Sequence, residues 1–403
     1  MKFGIIKEGK VPPDARAALT PKQCAFIQQN FPDVRIVVEP CSHRCFPDDA
    51  YRTEGVEVSS DLSDCDILLG IKEVPIPLLM ADKTYFFFSH TIKKQPHNRA
   101  LLQAIIEKNI RIIDYEVLTD DNGKRLIAFG KFAGMVGAHN GLLAYGLRTG
   151  TFTLPRLYQL AHYADAKEIY KTVKFPPMKV VITGGGRVAN GALEVIQDAG
   201  FQRVGIEEYL TKSFDFPVFV RLHPADYAAH NDPTIPFDKK DYYSDPSVYH
   251  SVFSKFYETT DLFINGIFYD ARAPRFFELE DMASDTFKIK VLADVSCDLM
   301  PYSSVPTTIR ATKITDPFFG FDKTTHQEVA PFADNAVTMM TIDNLPNELP
   351  RDASEFFGEQ FITHILPEIL KEEYSDVLLR ATIAMDGQLR SPFSYLHDYV
   401  FGS

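Results

Sequence analysis

No run of apolar residues in the 403-residue chain reaches the ~18–20 that a membrane span requires, so no part of it is read as membrane-embedded. No Lys/Arg-rich block is present to track a phosphate backbone, and 42 basic against 54 acidic residues give a net charge of −12. Nucleic acid is therefore not an expected partner. The five cysteines are odd in number and scattered without an export signal, which favours reduced thiols over a disulfide framework. The start, MKFGIIKEGK, has too few consecutive apolar residues for a secretory h-region and meets charge almost at once; it reads as the first strand of a cytoplasmic protein. There is no internal repeat and no low-complexity tract. The one Cys/His cluster, Cys41, His43 and Cys45 in CSHRC, lacks a second ligand pair at zinc spacing, so it reads as an ordinary loop and no metal is expected.

What is present is a soluble composition, 45% hydrophobic and 24% charged, in a chain long enough for two domains of ordinary size. The N-terminal third alternates short apolar runs with helical patterns: FGIIKE, PKQCAFIQQNF, RIVVEP, DILLGIK, TYFFFSH, NRALLQAIIEKN, RIIDYEVL. That rhythm implies βαβ units, and continuously apolar strands such as DILLG and YFFF fit a parallel sheet covered on both faces. A second alternation starts at KVVITGGGRVANGALEVIQDAG and runs through PVFVRLH, DLFINGIF and KIKVLADVS. The expected fold is α/β: two Rossmann-like domains with parallel sheets flanked by helices, separated by an active-site cleft. Residues 1–134 with 336–403 are expected to form a discontinuous substrate domain, and residues 135–335 a dinucleotide-binding domain. The small-residue segment 132–150 reads as a closely packed helix running between the two, and 231–247 as a long excursion loop. Residues 350–373 read as an amphipathic helix opened by a capping box at Asp352 and Glu355.

In VVITGGGRVANGALEVI, a strand runs into a glycine turn and then a helix, with Gly184, Gly186 and Ala189 at the G-x-G-x-x-G/A positions. Arg187 and Val188 complete the turn, whose free N–H groups and helix dipole suit a pyrophosphate. Roughly 20 residues further on, where an acid is expected to meet the adenosine ribose, stand Glu207 and Glu208. An acid there repels a 2′-phosphate, so NAD is the expected cofactor and NADP the alternative, with Arg203 and Lys212 as groups able to reverse the preference.

Ligands of open parallel sheets bind outside the carboxyl ends of the strands. In the first domain Arg16, Lys72, His90 and Glu116 follow four such strands. This set suits amine oxidation: hydride loss from a C–H beside nitrogen needs the nitrogen deprotonated, and hydrolysis of the imine needs a base for water. Lys72 and His90 divide those tasks, provided burial or neighbouring positive charge lowers the lysine pKa. Arg16 is the expected clamp on a substrate carboxylate. Any one of these groups alone reads as a solvated strand end.

ARAALTP, GIKEVP, KTYFFFSHTIKKQ, IRIIDYE, RLIAFGKFAG, LFINGIFYDARAPRFF, ADVSCD and TIDNLPNELPRDASEFFG resemble, in that order, the lysine-forming saccharopine dehydrogenases, and most of all the lysine–2-oxoglutarate reductase domain of the bifunctional lysine-degrading enzyme. The resemblance spans about residues 3–395 and extends to alanine dehydrogenases and transhydrogenases. It implies that Lys72 and His90 are the catalytic pair and that Arg16 and Arg125 bind substrate carboxylates, with Lys93 and Lys94 as further cations. It also implies that Glu116 tunes the catalytic pair, and that Asn265, Gly266, Asp294 and Ser296 approach the nicotinamide ribose. The implied enzyme interconverts saccharopine with lysine and 2-oxoglutarate. The alternatives are deamination of a small amino acid and a nucleotide-binding regulator without catalysis. The expected partners are these small molecules, and homo-oligomer formation is left open.

Overall fold

The computed structural model describes residues 1–373 and 375–402. The chain divides into two compact units, one of Met1–Phe129 with Pro350–Ser403 and one of Gly130–Leu349.

The first unit is built on β1 (Lys2–Ile5), α1 (Pro21–Asn30), β2 (Arg35–Val38), α2 (Asp48–Thr53), β3 (Glu57–Val58), β4 (Ile67–Leu69), β5 (Thr84–Phe87), α3 (Arg99–Glu107) and β6 (Arg111–Asp114). The strands lie parallel in the order β6-β5-β4-β1-β2-β3, and two antiparallel strands, Thr382–Met385 and Gln388–Leu389, extend the sheet beyond β6. The expected parallel sheet is thus mixed at one edge. The aromatic run is sheet core: Tyr85, Phe86 and Phe87 are at most 1% exposed, with Tyr85 and Phe87 among Leu101, Leu102 and Ile105 of α3. Helix α1 starts where Thr20 accepts from the Gln23 N–H and the Gln23 side chain accepts from the Thr20 N–H, a reciprocal cap with Pro21 in the first turn. Because β1 lies beside β4, strand progression reverses between them. That is the switch point at which the carboxyl ends of such a sheet open a crevice.

The expected helix over 350–373 is broken into three parts: Pro350–Gln360 is α-helical, Phe361–Ile365 is a π turn and Leu366–Ile369 is α-helical again. Pro367 lacks the N–H that would continue the ladder, which accounts for the widened turn before it. Asp352 lies inside the first turn, so the expected capping box at Asp352 and Glu355 does not form at that boundary.

The second unit contains α4 (Gly130–Thr149), α5 (Tyr163–Thr172), β7 (Lys179–Thr183), α6 (Arg187–Asp198), β8 (Gln202–Arg203), α7 (Ile206–Thr211), β9 (Val218–Leu222), β10 (Ala228–His230), β11 (Tyr249–Ser251), β12 (Leu262–Asn265), β13 (Val291–Asp294), β14 (Phe318–Asp322), β15 (Glu328–Val329) and β16 (Ala336–Met340). Its main sheet has the order β15-β14-β16-β13-β12-β7-β9-β8. All pairs are parallel except those of β14 with β15 and with β16. The chain from α6 passes first to the edge strand β8 and returns as β9, which takes the place beside β7. The expected excursion at 231–247 is bracketed by the antiparallel pair β10–β11. Helix α4 has small residues because it meets α6 backbone to backbone: a Cβ on Gly134 would lie 1.8 Å from the Val188 carbonyl oxygen, and one on Gly191 would lie 1.9 Å from that of Lys131. No helix among the described residues is long and apolar enough to cross a membrane.

His139, buried in α4, is held as a neutral imidazole: Nε2–H donates to the Pro155 carbonyl at 2.7 Å, and Nδ1 accepts from the Tyr170 hydroxyl at 2.6 Å. Burial pushes its pKa from 6.5 down to about 4. A folded-state pKa below the unfolded one gives stability that is complete above about 6.5 and is lost as pH falls toward about 4. Thermal melts across that window are expected to fall more steeply for the wild-type protein than for His139→Gln; parallel curves would contradict the assignment.

Candidate active site

The groups expected at the strand tips of the first unit do converge, but the turns that carry them are organised by acids. Beyond β1, the buried Glu8 accepts the N–H of Ile71 at 2.6 Å and that of Lys72 at 2.8 Å, one on each carboxylate oxygen. It thereby fixes the turn after β4 that presents Lys72 and Glu73. Burial, helped by the charge of Asp14, raises the Glu8 pKa to about 8 against the pull of those two N–H groups. Burial, helped by the Arg16 guanidinium, lowers that of Lys72 from 10.5 to about 8. Lysine as a base near neutral pH requires such a shift. Its Nζ makes no hydrogen bond or ion pair among the described residues.

His90 follows β5 with φ at +54°, in the left-handed region. Its Nδ1 lies 2.6 Å from Glu73 Oε1, and Lys10 Nζ lies 3.0 Å from Glu73 Oε2. Burial opposes ionisation of Glu73, but the His90 hydrogen bond and charge outweigh it and hold the pKa at about 2. An ionised Glu73 accepts only, so Nδ1 carries the proton and Nε2 is the nitrogen left for proton exchange. Glu116 Oε1 lies 3.3 Å from both Lys93 Nζ and Arg125 Nη2, while Glu116 Oε2 is buried without a partner. A cationic or N–H group of a ligand would satisfy it. Lys93 and Arg125 are partly exposed beside it, and Lys94 lies over the Tyr395 ring.

Arg16 is engaged by a carboxylate of the chain itself. It is 3% exposed, donates from Nε at 2.9 Å and from Nη2 at 2.6 Å to Asp14, and lies 4.3 Å from the Phe129 ring centroid. The carboxylate that its planar fork clamps is the protein's own, and its charge acts on Lys72. Three acids went unread in the sequence: Glu8, Glu73 and Asp114. The available signal was position, since each stands within four residues of a strand end.

In the second unit, Gly184 takes φ +107°, and a Cβ there would lie 2.7 Å from the Gly266 carbonyl oxygen. The turn therefore runs hard against the end of β12. Gly186 precedes α6 with no side-chain cap, and nothing lies within 4 Å of where its Cβ would be. The start of α6 at Arg187 and Val188, with the buried Ala189 behind it, forms an open cradle that fits a pyrophosphate. Asn265, Asp294 and Ser296 form a network instead of offering free groups. Asn265 Nδ2 donates to Asp294 Oδ1 at 2.8 Å, Ser296 Oγ to the same oxygen at 2.6 Å, and Thr308 Oγ1 to Asp294 Oδ2 at 2.6 Å. With Asn265 and Asp294 at 0% exposure, these side chains brace the loops after β12 and β13.

The expected ribose acids are also displaced. Glu207 and Glu208 open α7 after the edge strand β8, and Glu208 is engaged by Lys212 and by the Gly205 N–H. Because β9 intervenes, the groups beside the glycine turn are Arg221, whose Nε donates to the Gly184 carbonyl at 2.8 Å, and His223, whose Nδ1 would lie 3.5 Å from a Cβ on Gly185. Among the described residues no cluster of three or more His, Cys, Asp or Glu could hold a metal ion. In CSHRC, His43 Nε2 lies 3.0 Å from the Glu8 carbonyl oxygen and 3.4 Å from Cys41 Sγ.

The two α/β units, one carrying Lys72 and His90 at its strand tips and the other a glycine cradle, share the fold of the alanine dehydrogenases. An L-alanine dehydrogenase structure superposes with a TM-score of 0.67 at 18% identity, covering 99% of this chain and 100% of that one. A transhydrogenase from Sinorhizobium meliloti gives 0.62 at 14% identity. Residues 4–136 match the family described as the alanine dehydrogenase/PNT N-terminal domain. Over 440 residues the chain is 31% identical to alpha-aminoadipic semialdehyde synthase of Arabidopsis thaliana, spanning 98% of this chain but 41% of that protein. It is 28% identical to the mitochondrial rat counterpart, of which it spans 46%. It is 27% identical over 379 residues to the NAD(+), L-lysine-forming saccharopine dehydrogenase of Emericella nidulans, covering 88% of this chain and 89% of that one. The likeness read from the motifs is borne out: the chain is similar to saccharopine dehydrogenases and to less than half the length of the semialdehyde synthases.

The state of Lys72 is open to direct test. Acylation of Lys72, followed by peptide mass mapping across pH, is expected to reach half-maximal rate near pH 8. In Arg16→Gln the half-point is expected to rise, because the lost guanidinium had disfavoured the ammonium and the unpaired Asp14 favours it. A wild-type half-point at the ordinary 10.5, or a fall in the variant, would contradict the geometry.

Proposed function

We propose that the chain is an NAD-linked oxidoreductase acting on a CH–NH bond, interconverting saccharopine with L-lysine and 2-oxoglutarate. The observation that carries this reading is the pairing, on neighbouring strand tips, of a lysine brought to a pKa of about 8 with a histidine whose Nδ1 is committed to an ionised Glu73. One group then takes a proton from nitrogen while the other exchanges one with water. The similarity to the NAD(+), L-lysine-forming saccharopine dehydrogenases supports the same substrate and NAD.

In the oxidative direction, the neutral Lys72 takes the proton from the secondary amine of saccharopine. Gly184, Gly186, Arg187, Val188 and Ala189 would hold a dinucleotide, which when bound would supply the acceptor for the hydride leaving the carbon that joins nitrogen to the glutaryl chain. The C=N bond that results is attacked by water, and His90 Nε2 takes the proton released. The C–N bond then breaks as the nitrogen is protonated, giving L-lysine and 2-oxoglutarate. Lys93 and Arg125, partly exposed beside Glu116, are the cations proposed for substrate carboxylates, and the unpartnered Glu116 Oε2 is the proposed acceptor for the substrate's amine end.

Assays offering lysine plus 2-oxoglutarate are expected to consume reduced dinucleotide, while pyruvate plus ammonia is expected to give no turnover; the reverse would favour small-amino-acid deamination. Lys72→Met and His90→Gln are each expected to lower turnover by about 10²–10⁴ while dinucleotide binding survives. Near wild-type turnover in both would overturn the assignment. Since Glu207 and Glu208 lie across β9 from the turn, replacing both with Ser is expected to leave the ratio of NADH to NADPH efficiencies unchanged, and a narrowed ratio would restore them to the ribose.

A further inference from the structure

We propose that Asp114 is a positioning residue for His90 and Glu116 together, a single buried carboxylate that locks the turns after β5 and β6 to each other. This rests on the reading of His90 as the group that exchanges a proton with water. Asp114 Oδ2 accepts the Ser89 N–H at 3.0 Å and the Ser89 hydroxyl at 2.5 Å. Its other oxygen, Oδ1, accepts the Glu116 N–H at 2.7 Å. Ser89 Oγ in turn accepts the Thr91 N–H at 3.3 Å and lies 2.7 Å from Thr91 Oγ1. The residues on both sides of His90 are thus pinned and wholly buried.

Between two pinned neighbours, His90 adopts a left-handed backbone conformation at φ +54° that residues with a side chain seldom take. Such a conformation persists where its surroundings over-determine it, and Asp114 does so here. The imidazole is left with its side-chain torsions as its only freedom, and Glu73 removes that by holding Nδ1. On the neighbouring turn, the same carboxylate sets where Glu116 leaves β6, and hence where Lys93 and Arg125 gather. The titratable groups facing Asp114 are Glu116 and Tyr115 beside it and Tyr395 from the chain's last segment. No cation is paired with Asp114 among the described residues; N–H and O–H donors alone stabilise it. Asparagine has the same shape but one of its two heads is a donor, so it would meet either the Ser89 or the Glu116 N–H with an N–H of its own, and one turn would be released.

The test uses the full chain carrying Asp114→Asn and, as a milder change, Ser89→Ala, which removes the hydroxyl links but keeps the Ser89 N–H bond. Asp114→Asn is expected to lower kcat by roughly 10²-fold, the usual cost of a misplacement of about 1 Å, with the Kd for the dinucleotide unchanged. Ser89→Ala is expected to lose less in the same direction. The titration of the His90 ring protons by NMR is expected to move in both variants as the Glu73 contact loosens, and this readout does not depend on turnover. If the wild-type protein turned over no saccharopine, the functional reading would fail, and the NMR titration would still decide the role of Asp114. Wild-type kcat with an unchanged His90 titration in a folded Asp114→Asn protein would overturn the proposal, as would a lowered melting temperature alone. Should Asp114→Asn fail to fold, an unchanged His90 titration in Ser89→Ala would overturn it equally.

Discussion

A turn at the tip of a strand has N–H groups that no ladder uses, and in this protein buried carboxylates accept them. Glu8 accepts those of Ile71 and Lys72; Asp114 accepts those of Ser89 and Glu116. In the second unit Asp294 does the same for the side chains of Asn265, Ser296 and Thr308. Burying a carboxylate costs several kcal/mol, and each charge-assisted hydrogen bond returns about 1.5–3 kcal/mol. An acid with three donors is therefore tolerable, whereas a turn that lost its acid would strand donors as well. This mutual dependence keeps Lys72, Glu73, His90 and Glu116 in place.

The same burial separates the acids from the bases. Glu8 and Glu73 stand close in the fold, yet Glu8 is pushed up to about 8 and Glu73 is held at about 2, because burial and the charge of Asp14 outweigh the pull of the Ile71 and Lys72 N–H groups on the first, whereas His90 and Lys10 outweigh burial at the second. Lys72, with Arg16 nearby, is driven the other way from its ordinary value. Groups whose environments drive their proton affinities apart are the mark of an acid–base site. Arg16 serves this arrangement through its charge while its Nε and Nη2 donate to Asp14.

The fold class was legible because its strands are continuously apolar. TYFFF reads as a strand buried on both faces and is one, and the glycine turn sits between strand and helix as its spacing implies. The errors came from what spacing does not encode. Counting about 20 residues from the glycine turn leads to Glu207, but the chain visits the edge strand first and returns as β9, so the residues beside the turn come later, at Arg221 and His223. The pairing of Arg16 with Asp14, two residues away, depends on a loop conformation that no periodicity reveals. Glu8 and Asp114 were passed over because an acid at a strand end reads as solvated, and only burial distinguishes the two cases. Asn265 and Asp294 were read as ligand contacts, and the hydrogen bond between them is not visible in the spacing.

The proposed role of Lys72 and His90 is to manage protons for a hydride exchange at the carbon joining nitrogen to the glutaryl chain. Following the hydride is the direct test. With reduced dinucleotide carrying deuterium at the transferable position, and lysine plus 2-oxoglutarate as substrates, the expected product is saccharopine with one deuterium on that carbon. Deuterium retained in the dinucleotide, or delivered only to alanine when pyruvate and ammonia are offered, would contradict it.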